Sequence, residues 1–97
     1  MSGFVYILKS SKHGRYYVGS TNDLERRLDE HFRGKSKYTR DSGPYELIFS
    51  QSYLSLDDAR KIERWIKSQK SRKLIEKIIS EREIQKKRVN NKNVLVI

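Results

Sequence analysis

The chain contains no cysteine, which excludes disulfide cross-links and thiolate-bound zinc. Its two histidines, His13 and His31, are too scattered to suggest a structural zinc site. No apolar run approaches the roughly 18 residues that a membrane-spanning helix requires, and the N-terminus lacks a secretory apolar core. The cytoplasm is therefore the expected location. Internal repeats and low-complexity linkers are also missing. Acidic residues are in short supply: 12 Asp and Glu stand against 22 Lys and Arg, giving a formal net charge of +10. Such an excess calls for a polyanionic partner, because every neutralised phosphate releases condensed counterions. Nucleic acid is the first candidate. Membrane-surface binding would want an amphipathic helix with bulky apolar residues and a lipid anchor, and none is evident, so no membrane partner is expected. With 97 residues and 35% hydrophobic content the chain has room for one domain and one modest core.

The elements follow from periodicity and punctuation. Phe4-Val5-Tyr6-Ile7-Leu8 is a continuous aromatic and β-branched run bounded by Gly3 and a polar stretch, and reads as a buried strand. His13-Gly14 has turn chemistry, and Tyr16-Tyr17-Val18-Gly19 gives a second strand, so the pair is expected to form an antiparallel hairpin. A helix follows, with Asn22 as expected N-cap, Glu25 in capping-box position, Leu24, Leu28 and Phe32 along one face, and Gly34 ending it. After Pro44 a third strand is predicted over 45–53, its inward face left open by periodicity. Ser55 is the expected N-cap of a second helix with Asp57 and Asp58 in its first turn and Ala59, Ile62 and Ile66 along its apolar stripe. Leu74, Ile75, Ile78 and Ile79 predict a third helix. The tail is basic and ends in the apolar Val94-Leu95-Val96-Ile97, which leaves an edge strand, a pairing surface or a mobile end open.

Three features bear on chemistry. Glu63 falls on the buried stripe of the second helix, where a carboxylate costs several kcal/mol to desolvate unless a cation compensates it. A metal ion or an arginine would do so; pairing with Lys67 one turn later is the structural alternative. Arg27 and His31 stand at i and i+4 and project from one side of the first helix, where an arginine can hold a phosphate oxygen and a histidine can move a proton. Taken without further context, an ordinary solvated face is the simpler account of both. Tyr6 and Tyr17 lie on neighbouring strands and present two phenols either to one site or to the core.

Taken together, Phe4-Val5-Tyr6, then Tyr17-Val18-Gly19, then Asn22-Asp23-Leu24 with Arg27 and His31, then Glu63 in Ala59-Arg60-Lys61-Ile62-Glu63, resemble the GIY-YIG nuclease superfamily. The similarity is closest to its small stand-alone bacterial members, described as excinuclease-like or endonuclease-like. It covers roughly residues 3 to 80. The resemblance implies an α/β fold with a small three-stranded, mainly antiparallel sheet flanked by helices in β-β-α-β-α-α order. It implies a nuclease-like domain over 1–80 followed by a basic tail over 81–97. It also implies metal-dependent hydrolysis of phosphodiester bonds in DNA, or RNA, in repair or processing. Tyr6 then matches the tyrosine that acts as or assists the general base, and Tyr17 the one that orients water and scissile phosphate. Arg27 matches the arginine that steadies phosphate charge, His31 a position that is histidine in some members, and Glu63 the carboxylate that holds one Mg²⁺ or Mn²⁺. A phenol has an ordinary pKa near 10, so a metal-bound network or nearby cations are expected to draw its proton off.

Two departures stand out. Phe4 occupies the glycine position of the first motif, and no asparagine follows Glu63 where several relatives carry one, the neighbourhood being Lys73-Leu74-Ile75-Glu76. A non-catalytic or partner-dependent nucleic-acid-binding module of the same fold is the alternative function. Backbone contact with nucleic acid is expected from Arg33, Lys35, Lys37 and Arg40 with Tyr38 as a stacking aromatic, and from Gly19, where a missing side chain lets a phosphate approach or the chain bend. A targeting protein partner and a homodimer through the apolar C-terminal end are further expectations.

Overall fold

The computed structural model describes residues 2–33 and 44–84. Strands β1 (Gly3–Ser10) and β2 (Tyr16–Thr21) form a hairpin, followed by helix α1 (Leu24–Phe32), strand β3 (Tyr45–Tyr53), and helices α2 (Leu56–Gln69) and α3 (Arg72–Glu81). The sheet order is β2-β1-β3, and both pairings are antiparallel. This is the predicted α/β arrangement in the predicted element order. Lys35, Lys37, Tyr38, Arg40, Gly34 and Val94 to Ile97 lie outside the described residues.

The central position of β1 explains its unbroken apolar run. Val5, Ile7 and Leu8 are fully buried and Tyr6 is 1% exposed, because helices cover both faces of this one strand. Alternation sends Val5 and Ile7 to the α2/α3 side, where they join Val18, Phe49, Ala59, Ile66, Ile78 and Ile84 in the core. Tyr6 and Leu8 face the other way. Phe49 stands opposite Ile7, which fixes the face of β3 that periodicity left open. A register shift at Ile7/Leu8 bulges β3, bending it locally.

The turns and caps account for the boundaries. Gly14, at φ 68°, takes the left-handed conformation that closes the hairpin, with its N–H donating to the Ser10 carbonyl at 2.8 Å. Asp23, not Asn22, caps α1: its Oδ1 accepts the Arg26 N–H at 3.1 Å. The reason is local, since Thr21 Oγ1 accepts the Asp23 N–H and donates to the Asp23 carbonyl, so the turn off β2 is complete one residue later than expected. Glu25 consequently has no capping-box role. Ser55 and Ser71 cap α2 and α3 by accepting the N–H groups of Asp58 and Leu74.

The inward face of α1 also differs from the one predicted. Phe32 is 54% exposed, whereas His31 is 3% exposed and is the buried residue of this helix. Leu24, Arg27, Leu28 and His31, at i, i+3, i+4 and i+7, therefore make the stripe. Packing continues beyond the expected boundary at residue 80: Ile84 is buried, and its N–H donates to Gln51 Oε1 at 2.9 Å, tying the end of the described chain to β3.

Candidate active site

Register builds the site before any side chain is considered. In the β1–β2 pair Leu8 stands opposite Tyr17 and Tyr6 opposite Gly19, so all four point to the α1 side. Ser20, opposite Val5, points to the α2 side. Because β2 is an edge strand, groups from both faces can meet around it.

On the α1 side three rings gather. Tyr6 and Tyr17 have centroids 6.3 Å apart, and the His31 ring lies edge-on to both, at 5.7 Å from Tyr6 and 5.1 Å from Tyr17. Tyr6 Oη is 3.0 Å from His31 Nε2. Burial, followed by the positive Arg27, pulls His31 down to about 4, so its imidazole is neutral at neutral pH. Arg27 donates to the Tyr6 oxygen, which leaves the phenol O–H free to donate to His31 Nε2 when the neutral imidazole carries its proton on Nδ1.

Tyr6 itself is pushed up to about 12, first by burial, with the Arg27 hydrogen bond acting in the opposite direction and the Tyr17 and Glu63 charges adding to the rise. The expectation that nearby cations depress this phenol is thus corrected: Arg27 does pull downward, but desolvation wins. At pH 7 a group of pKa about 12 is ionised to about 1 part in 10⁵. Tyr6 is therefore a hydrogen-bond donor in the free protein.

Arg27 is held between acid and phenols. Its Nη1 donates to Glu30 Oε1 at 2.8 Å, and its guanidinium also bonds both Tyr6 and Tyr17, all of which hold its proton more firmly. The Glu30 carboxyl in turn lies below its ordinary value, chiefly through Arg27. Arg27 and His31 thus do share one face, as their spacing predicts, and that face turns toward Tyr6 and Tyr17.

Gly19 has a definite structural reason. A Cβ added there would lie 2.5 Å from Tyr6 Oη and 2.6 Å from its Cζ, so the Tyr6 ring occupies the space a side chain would take. What approaches this glycine is the phenol of the opposite strand.

Across the β2 edge lies Glu63, with a side chain 20% exposed. Its Oε1 accepts the Ser20 hydroxyl, and its Oε2 accepts Lys67 Nζ at 2.7 Å. Lys67 also stands 5.8 Å from the centroid of Tyr17, joining the two halves of the site. Sequence reasoning had Lys67 as a partner that would make Glu63 merely structural; here the same pair sits within reach of the tyrosines. Ser20 and Glu30 were missed altogether, although strand parity and the i+3 spacing from Arg27 carry both signals.

The donor set limits what metal the site can hold. Among the described residues no group of three or more His, Asp or Glu side chains converges. A lone carboxylate does not cage a cation, but it does fit Mg²⁺, which keeps several waters and takes phosphate oxygens as ligands. Lys67 would have to leave Glu63 for that ion to bind. Arg33, expected on nucleic acid, is exposed and pairs with Asp29 at 2.8 Å.

The comparisons with known proteins agree with this fold. The profile of the GIY-YIG catalytic domain matches residues 2–77. UPF0213 protein BH0048 of Halalkalibacterium halodurans is 39% identical over 74 residues, covering 75% of this chain and 78% of that protein. A UPF0213 protein of Streptococcus pneumoniae serotype 4 is 40% identical over 68 residues, covering 69% and 68%. The solution NMR structure of the UPF0213 protein BH0048 from Bacillus halodurans superposes with a TM-score of 0.56 at 36% identity, covering 88% of this chain and 89% of that one. These names state no activity.

Proposed function

This chain belongs to the GIY-YIG catalytic-domain family, and on that premise we propose that it is a metal-dependent endonuclease that hydrolyses phosphodiester bonds in nucleic acid, DNA first, in the cytoplasm and in repair or processing. The observation that carries the reading is the meeting of Tyr6, Tyr17, Arg27 and His31 in one hydrogen-bonded cluster of edge-on rings, with Glu63 across the strand edge. A buried phenol bonded to a neutral histidine and an arginine beside a partly exposed carboxylate is the kind of cluster in which functional sites concentrate perturbed groups, and this supports the reading.

In this reading Arg27 presents its guanidinium to the non-bridging oxygens of the scissile phosphate, already oriented by Glu30. The Tyr6 hydroxyl binds the attacking water, and its own proton passes along the existing hydrogen bond to His31 Nε2 as the water proton moves onto the phenol oxygen. The arriving phosphate, as a nearby anion, raises the basicity of His31 from about 4 toward its ordinary value and so favours that transfer. Tyr17 limits where the water and phosphate can sit. One new P–O bond forms from water while the bond to the leaving sugar oxygen breaks. Glu63, with Ser20 donating to it, holds a Mg²⁺ or Mn²⁺ ion, which when bound supplies Lewis-acid polarisation of the phosphate and leaving oxygen.

The test is cleavage by the purified chain of branched, nicked, single-stranded and duplex DNA and RNA in Mg²⁺, Mn²⁺ or EDTA. Cutting that requires the metal supports the proposal. Salt-sensitive binding with no cutting on any substrate instead favours a binding module, or a nuclease that needs a protein partner.

A further inference from the structure

Beside the candidate active site runs an open cleft of about 420 Å³ between the start of β2, the end of α2 and the start of α3. Arg15, Lys67, Lys70 and Arg72 line it, and no carboxylate does. Among the described residues neither Arg15 nor Lys70 forms an ion pair, and both are exposed. The Arg72 guanidinium is fixed on three sides: Nε donates to Glu76 at 3.1 Å, Nη2 donates to the Gly14 carbonyl at 3.2 Å, and its centre lies 4.6 Å over the Tyr16 ring. The floor is apolar, with Val18 and Ile66 buried beneath it.

This arrangement is electrostatically one-sided. Lys67 and Arg72 are paired with Glu63 and Glu76, so Arg15 and Lys70 are the lining cations without an acidic partner among the described residues, and α3 opens with Arg72 and Lys73 and no acidic residue, the reverse of what the helix dipole favours. An anion seated in the cleft offsets both. Tyr17 and Lys67 line the cleft and also border the tyrosine and glutamate halves of the candidate active site, so the cleft adjoins it.

We infer that this cleft seats the single-stranded segment of nucleic acid that flanks the scissile phosphate, with consecutive backbone phosphates on Lys70, Arg15 and Lys67 and a base against the apolar floor. The inference rests on the proposed action on nucleic acid and adds the path of the strand. Its size falls within the roughly 300–1,000 Å³ of pockets that take small molecules, which suits a short stretch of one strand. The lining residues are not the Arg33, Lys35, Lys37, Tyr38 and Arg40 that the sequence pointed to for nucleic acid.

The test is fluorescence anisotropy of the full chain with a labelled single-stranded DNA, in EDTA, as a function of salt. The cleft pair Arg15→Gln/Lys70→Gln is compared with the control pair Lys61→Gln/Arg64→Gln, which removes the same charge from exposed positions of α2 that do not line the cleft. All four side chains are exposed, and circular dichroism verifies folding. Loss of two single-strand phosphate contacts lowers the slope of log K against log salt by about 1.4 and weakens binding about 25-fold at 0.1 M salt. The control pair is expected to change binding less than threefold. Equal effects of the two pairs, no effect of the cleft pair, or failure of the wild type to bind would overturn the assignment. Because binding is read without metal, absence of cleavage leaves the cleft assignment standing while removing the catalytic one.

Discussion

Acidification is expected to destabilise this protein through His31 in addition to its carboxylates. His31 is 3% exposed, and burial followed by the Arg27 charge draws it from an ordinary 6.5 to about 4. In the unfolded chain the same imidazole titrates near 6.5. Between these values the unfolded chain binds a proton that the folded chain refuses, so the stabilisation is complete above about pH 6.5 and is lost as pH falls through about 4. At about 1.4 kcal/mol per pH unit, the full interval is worth about 3 kcal/mol, a large share of the roughly 5–15 kcal/mol that holds a domain together. Carboxylates titrate in part of the same window, so the comparison must isolate the imidazole. His31→Gln does this, because an amide oxygen can still accept the Tyr6 O–H. Denaturant unfolding at pH 7 and pH 4.5 should show the wild type losing about 2.5 kcal/mol more than His31→Gln. Equal losses in the two proteins would refute a buried neutral imidazole in the site.

Two further substitutions separate the parts of the site. Gly19→Ala places a methyl group where the Tyr6 ring lies; displacing the ring should cost about 1–3 kcal/mol and remove cleavage with no change in charge, and a thermal melt that matches the wild type would contradict that packing. Lys67→Met removes the ammonium 2.7 Å from Glu63, so Mn²⁺ should bind roughly three- to tenfold more tightly by calorimetry, whereas unchanged affinity would mean that Lys67 does not compete for the carboxylate.

Much of the fold was legible because its signals are local. The β1 run, the His13-Gly14 turn, Ser55 as a cap and the Ala59, Ile62 and Ile66 stripe all appear in the structure as the sequence predicts. The errors arose where side chains chose between adjacent local bonds or faces. Asp23 displaced Asn22 as cap because Thr21 closes the turn, and hydrophobic counting placed Phe32 inward when the long-range Tyr6 bond selects His31. The site residues could be singled out by type and spacing, but their energetics could not. Whether Arg27 or burial governs the Tyr6 phenol depends on how deeply β1 is covered, and that is a property of the packed sheet. The cleft was hidden for a related reason: Arg15, Lys67, Lys70 and Arg72 come from separate stretches of the chain and converge only after folding.

The most direct measurement of the central proposal is single-turnover cleavage by the wild type, Tyr6→Phe and Glu63→Gln at saturating protein, with binding of the same substrate measured in parallel. The nuclease reading predicts Mg²⁺-dependent cutting that falls at least about 100-fold in each variant while affinity changes by less than about threefold. Cutting that persists in either variant, or that is insensitive to EDTA, would contradict the roles given to Tyr6 and Glu63.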